Sequence, residues 1–143
     1  MSLPPRVSLV TLGVTDLVRS TAFYKDLGWP LSPASSDGVS FFHTAGAILA
    51  LFGVDDLVSE TGTLAAVVPG FRGVTLAINV ESPEAVDEGV EAACRAGATL
   101  VREPATADWG GRVGYVADPD GHVWEVAYNP GFPLGRDGLP QLP

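Results

Sequence analysis

Val10-Thr11-Leu12-Gly13-Val14-Thr15-Asp16-Leu17 and, in the other half of the chain, Leu76-Ala77-Ile78-Asn79-Val80-Glu81-Ser82-Pro83 read as two versions of one beginning. Each is a run of aliphatic and β-branched residues, which favours a strand, followed by a helix start. Asp16 and Ser82 are N-cap types whose side chains accept from the free amides of a first turn. Pro83 suits the first helical position, where its missing N–H costs nothing. Working outward, Leu17, Thr21, Tyr24 and Leu27 recur at helical spacing and stop at Gly28, while Val86, Val90, Ala93 and Cys94 form one apolar face that stops at Gly97. Three strands are predicted after each helix: 29–31, 39–43 and 47–52 in the first half, 99–102, 111–117 and 122–127 in the second. Thr44-Ala45-Gly46 reads as one hairpin connection. Asp118-Pro119-Asp120-Gly121 reads as the other, a type I turn with Asp, Pro and Gly at their preferred positions. The order strand, helix, strand, strand, strand therefore occurs twice, which predicts an α+β fold of two tandem βαβββ modules.

Module one covers about 7–52, a crossover 53–73, module two about 74–128, and a Pro/Gly-rich tail 129–143 that should be extended and irregular. Within the crossover, Asp55 to Glu60 suggests a helical turn. At this length the crossover is either a plain connection or a lid. With 143 residues, one domain is expected, large enough to fold without disulfides or structural metal. Cys94 is the sole cysteine, so no internal disulfide can form, and its place on the apolar helix face suits packing better than catalysis. A net charge of −9 disfavours nucleic acid and anionic membranes as partners. Nothing reads as a secretory leader or a membrane span, so a cytoplasmic location is expected.

The stretches Val10 to Leu17, then Phe23-Tyr24 and Leu27-Gly28, together with Asp118-Pro119-Asp120-Gly121-His122-Val123-Trp124-Glu125-Val126, resemble the vicinal oxygen chelate superfamily. That superfamily includes glyoxalase I, fosfomycin-resistance enzymes, extradiol dioxygenases and bleomycin-resistance proteins. The resemblance runs over about residues 7–128. It implies two curled mixed sheets around a central cleft, with helices outside, and pairing of the chain as a homodimer. It also implies a divalent metal held by residues of the first and last strand of each module, usually His and Glu. Carried onto this sequence, those positions are Leu9, Ala50, Thr75 and Glu125. Only Glu125 keeps a strong donor, so neither metal nor other cofactor is expected, a divalent metal being the alternative. The two histidines do not restore a site. His122 falls on the opposite strand face from Glu125, and His43 lies at the end of its strand.

Glu125 carries the sharpest expectation. Alternation places it opposite Trp124 and Val126, facing the cleft from an otherwise apolar strand. A carboxylate there is costly when charged and unpaired, which suits a hydrogen bond to a ligand or transfer of a proton. The expected pocket comprises Leu9, Thr11, Ala50, Phe52, Thr75, Trp109, Tyr115 and Glu125. The expected function is metal-independent binding of a small apolar or aromatic molecule, uncharged or cationic, in the manner of bleomycin-resistance proteins. The alternative is a glyoxalase-like lyase or isomerase in which Glu125 is the catalytic acid or base, with or without a divalent metal.

Overall fold

Both predicted N-caps are made in the computed structural model, which describes residues 3–62 and 70–142. The strand β1 (Leu9–Val14) leads into helix α1 (Leu17–Asp26), where the Asp16 carboxylate accepts from Arg19 N at 3.0 Å. Strands β2 (Val39–Phe42) and β3 (Ile48–Gly53) complete the first sheet, whose order is β1-β3-β2. Module two begins with β4 (Thr75–Asn79). Helix α3 (Pro83–Ala96) follows, with Ser82 accepting from Ala85 N at 3.1 Å and Gly97 closing the helix at φ 116°. Strands β5 (Thr99–Thr106), β6 (Arg112–Ala117) and β7 (Val123–Tyr128) give the second sheet the order β4-β7-β6-β5. In each sheet the first and last strands of the module run parallel and the others antiparallel.

The described residues hold seven strands where eight were expected. Segment 29–31 is reduced to one bridge, Leu31 to Phe42. Pro30 has no N–H to give a ladder, so around the bridge the segment is held to β2 by Ser32 N to Phe41 O and His43 N to Pro30 O, and further on by Ser36 N to Val39 O and Phe41 N to Ser35 Oγ. The helical turn expected at Asp55 to Glu60 is a full helix, α2 (Val54–Thr61), stopped by Gly62 at φ 70°. It packs on β1 and β3, with Val54 and Leu57 over Gly13, so the start of the crossover covers part of the first sheet. The rest of that expectation, residues 63–69, lies outside the described residues. The tail is irregular but not wholly extended, because it folds back through a Leu134–Pro140 bridge and Gly135 N to Leu139 O.

Each sheet has a face covered by its long helix and a face turned away from it, called here the open face. Leu12, Val14, Phe42, Leu49 and Leu51 meet Phe23 and Tyr24 of α1 in one core. Val116 and Val126 meet Val86, Val90 and Ala93 of α3 in a second. Cys94 packs against that second core. Trp124 belongs to both cores, and Leu76, Ala96 and Ala98 of module two pack against the first. The seam between the modules is thus built from helix-side residues. No described helix is long and apolar enough to cross a membrane.

Candidate functional site

Asp118-Pro119-Asp120-Gly121 is the expected turn, closed by Gly121 N to Asp118 O at 2.9 Å. Its side chains clasp module one. Asp120 Oδ1 accepts from both the amide and the hydroxyl of Thr15 at 2.8 Å, and Oδ2 accepts from Ser20 Oγ at 2.7 Å. Arg19 adds an ion pair at 3.6 Å. Burial alone would raise the Asp120 carboxyl, but these hydrogen bonds and the Arg19 charge outweigh it and hold Asp120 below the usual carboxylate range. Asp118 Oδ1 accepts from the amides of Asp120 and His122, while Oδ2 accepts from Tyr24 Oη at 2.7 Å. Tyr24 Oη in turn accepts from Trp124 Nε1 at 3.1 Å. Burial first, then the Asp118 carboxylate, pushes the Tyr24 phenol far above an ordinary tyrosine. His122 Nε2 donates to the Gly13 carbonyl at 2.8 Å. The clasp fixes where β7, and so Glu125, stands.

The open face of the second sheet is a lattice of cross-strand rows. Thr75, Val123, Ala117 and Thr99 form one row across β4, β7, β6 and β5. Ala77, Glu125, Tyr115 and Arg102 form the next, and Asn79, Ala127, Val113 and Ala105 the third. Above the last two rows lies a cup of about 310 Å³ lined by Arg102, Ala105, Thr106, Ala107, Trp109, Val113, Tyr115 and Glu125. Tyr115 Oη donates to Glu125 Oε2 at 3.1 Å. Desolvation and the Glu125 charge raise the Tyr115 phenol above its ordinary value, with Arg102 acting in the opposite sense, so at neutral pH Tyr115 is a donor. Trp109 overhangs the end of the cup from the β5–β6 connection, where Ala107 N bonds Gly111 O. Its ring occupies the space that a Cβ at Gly111 would need. The absence of a side chain at Gly111 therefore makes room for the Trp109 ring.

The eight expected pocket residues do not share one lining. Trp109, Tyr115 and Glu125 stand together in the cup. Thr75 is on the same face, one row away. Leu9, Thr11, Ala50 and Phe52 belong to the open face of the first sheet, where Ala50 stands between Thr11 and Phe41 in one row. Arg102, which joins the cup, was not singled out in the sequence.

A larger groove of about 640 Å³ runs along the seam on the helix side, between Val10 and Leu49 of module one and Leu76, Ile78 and Trp124 of module two. His43 is among its lining residues, exposed, beside the 44–47 turn.

Comparison with known proteins agrees with this architecture. The family model of the Glyoxalase/Bleomycin resistance protein/Dioxygenase superfamily matches residues 6–126. The chain belongs to that superfamily. A glyoxalase-related enzyme from Fulvimarina pelagi is similar at 36% identity and TM-score 0.88, over 97% of this chain and 99% of that one. A glyoxalase/bleomycin resistance protein/dioxygenase from Nocardioides is 30% identical with TM-score 0.74, over 94% and 93% of the two chains. A lactoylglutathione lyase from Agrobacterium tumefaciens, 19% identical with TM-score 0.67 over 89% and 96%, shows the fold alone. No curated protein matches the chain.

The superfamily implies a divalent metal, and the donor set here does not fit one. Of the carried-over positions, Leu9 and Ala50 have no side-chain donor, and Thr75 offers a neutral hydroxyl a row away from Glu125. Glu125 is the remaining ligand type, and it already accepts from Tyr115. Among the described residues no group of three or more His, Cys, Asp or Glu is placed to hold a metal ion. A dication wants several anionic or imidazole donors converging on one point.

Proposed function

We propose that this superfamily member binds a small aromatic molecule in the cup on the open face of the second sheet, without a resident metal. The observation that carries the reading is the Glu125 carboxylate. Among the described residues it has one protein donor, Tyr115, and it shares the cup with Arg102 and Thr106 as well as with the apolar groups of Val113, Ala105 and Trp109. A carboxylate so placed keeps acceptor capacity for a ligand hydrogen. The cup is at the small end of the usual range of ligand pockets, about 300–1,000 Å³, so one ring with its substituents fills it. Trp109 and the Tyr115 ring supply flat apolar contact.

A second copy of the chain is the proposed partner. Strands β1 and β4, like β2 and β5 at the other ends of the two sheets, are each paired on one side only among the described residues. Leu9 and Val74, at or beside those edges, are 47% and 65% exposed. Such edges invite pairing with another chain. Sedimentation at micromolar concentration should show a species of twice the chain mass; a single species of one chain would refute the pairing.

The name of the Fulvimarina pelagi relative favours a second reading, in which the site is catalytic. Glu125 would take a proton next to a substrate carbonyl and Tyr115 would donate to the developing oxyanion. One experiment separates these readings. Protein purified without chelator is analysed for metal and titrated calorimetrically with a panel of substituted benzenes, as wild type and Glu125→Gln. The binder reading expects no stoichiometric metal, saturable binding and a loss of about 10–100-fold in the variant, the worth of one charge-assisted hydrogen bond. Stoichiometric metal that disappears with Glu125→Gln would overturn it. Turnover of a bound 2-hydroxy or 2-oxo compound, abolished by Glu125→Gln, would replace it with the enzyme reading.

A further inference from the structure

Arg102 is the group in the cup that the proposed function leaves without a task. Its register is unusual. Thr99 stands opposite Ala117 and Leu100 opposite Val116, so Thr99 faces the open side and Leu100 the helix side. Strict alternation would send Arg102 to the helix side with Leu100. The ladder instead slips between Leu100 and Arg102, and Arg102 pairs with Tyr115 on the open side. It slips again between Arg102 and Ala105, which pairs with Val113. Two irregularities therefore bracket one arginine and aim it into the cup. Bulges that re-aim a side chain are common beside functional sites.

Among the described residues Arg102 has neither a side-chain hydrogen bond nor an ion pair, a state it shares with Arg6 and Arg136, whereas Arg19, Arg95 and Arg112 each hold a carboxylate; what sets Arg102 apart is its place in the cup. Arg102 and Glu125 flank Tyr115 in one row. Their backbones are about 10 Å apart, two strand spacings. Between them lies Tyr115, and beside that row the cup is lined by Val113, Ala105, Thr106 and Trp109. The cup therefore presents a cation and an anion on either side of the Tyr115 ring.

We propose that the ligand of the cup is an aromatic carboxylic acid with a phenol or amine hydrogen on the far side of its ring. The carboxylate sits on the Arg102 guanidinium, whose planar fork matches it with two parallel hydrogen bonds. The far hydrogen is donated to Glu125. The ring lies over Val113 and Ala105 against Trp109. This rests on the cup being the binding site, as proposed above, and replaces the uncharged or cationic ligand that Glu125 alone suggests. Arg102 supplies the local positive charge an acid needs to enter a protein of net charge −9.

The test titrates wild type, Arg102→Gln and Glu125→Gln with 4-hydroxybenzoate, its neutral isostere 4-hydroxybenzamide, and benzoate. Trp109 fluorescence reports occupancy, and Trp109→Phe identifies its share of the signal. Wild type is expected to bind 4-hydroxybenzoate at least about tenfold more tightly than the amide, the scale of one charge-assisted contact. Arg102→Gln should erase that preference by weakening 4-hydroxybenzoate at least about tenfold more than it weakens the amide. Glu125→Gln should erase the preference for 4-hydroxybenzoate over benzoate. Equal wild-type affinity for acid and amide, or a preference that survives Arg102→Gln, overturns the ligand class and leaves the cup as a neutral-aromatic site. Failure of all three probes to bind wild type overturns the cup reading and this inference together.

Discussion

Replacing Tyr24 with Phe removes one oxygen from the middle of the clasp and leaves every apolar contact of the ring. The ring is fully buried and packs against Phe23, Trp29, Phe42 and Trp124 at centroid distances of 4.9, 5.4, 5.8 and 6.2 Å. Its hydroxyl donates to Asp118, itself 3% exposed, and accepts from the Trp124 indole. The substitution thus costs one hydrogen bond to a charged acceptor, about 1.5–3 kcal/mol, and orphans an indole N–H, about 1–3 kcal/mol. Asp118 keeps the two amide bonds on its other oxygen, which favours the lower half of that range, about 3 kcal/mol in all. For a chain of this length the midpoint of thermal unfolding should fall by roughly 9 °C, at about 3 °C per kcal/mol. Urea unfolding followed by circular dichroism should give the same loss with an unchanged m-value. The cycle with Asp118→Asn should show coupling above about 1 kcal/mol. A loss below about 1 kcal/mol, or additive single variants, would show that the hydrogen-bonded chain does not hold the modules together.

The same tyrosine predicts alkaline behaviour. Its folded value lies far above the unfolded one of about 10, so its contribution is complete below about pH 10 and erodes above it by about 1.4 kcal/mol per pH unit. Tyr24→Phe should flatten that slope; an unaltered slope would mean that other groups set it. At the acid end, Asp120 is held low, so its contribution is present above about pH 4 and lost as pH falls through its folded value. Asp120→Asn should cost about 1.5–3 kcal/mol at pH 7 and weaken the acid dependence, measured as unfolding midpoints from pH 7 to 2. Gly114→Ala would put a methyl 3.0 Å from Val90 and from Pro104. Overpacking of this kind costs about 1–3 kcal/mol, and a midpoint equal to wild type would show that β5 and α3 yield freely.

How much of this was legible follows from which interactions are local. The caps at Asp16 and Ser82, the stop at Gly97 and the turn at Asp118 to Gly121 each depend on neighbours within a few residues, and they form as read. The tandem βαβββ order was legible because hydrophobic periodicity is also local. The strand at 29–31 failed on a rule equally local, the missing N–H of Pro30. Arg102 was hidden for a different reason. Its direction depends on two slips in the β5–β6 ladder, and a period-2 reading has no means of locating a bulge. The partners of Asp118, Asp120 and His122 were hidden because they lie about a hundred positions away in the chain. Glu125 could be assigned to a face from alternation, but its pairing with Tyr115 needed the register of β6 against β7.

The clasp also has a consequence for the order of events on the ribosome. Module one is translated first, yet Ser20 and Tyr24, both fully buried, take their polar partners from Asp118, Asp120 and Trp124. Until that turn leaves the exit tunnel, α1 carries hydroxyls with nothing of the native fold to bond and a seam open to water. The first module is therefore born early and finished late. A nascent chain halted before Asp118 should be cut by protease around α1, and one released beyond Tyr128 should resist.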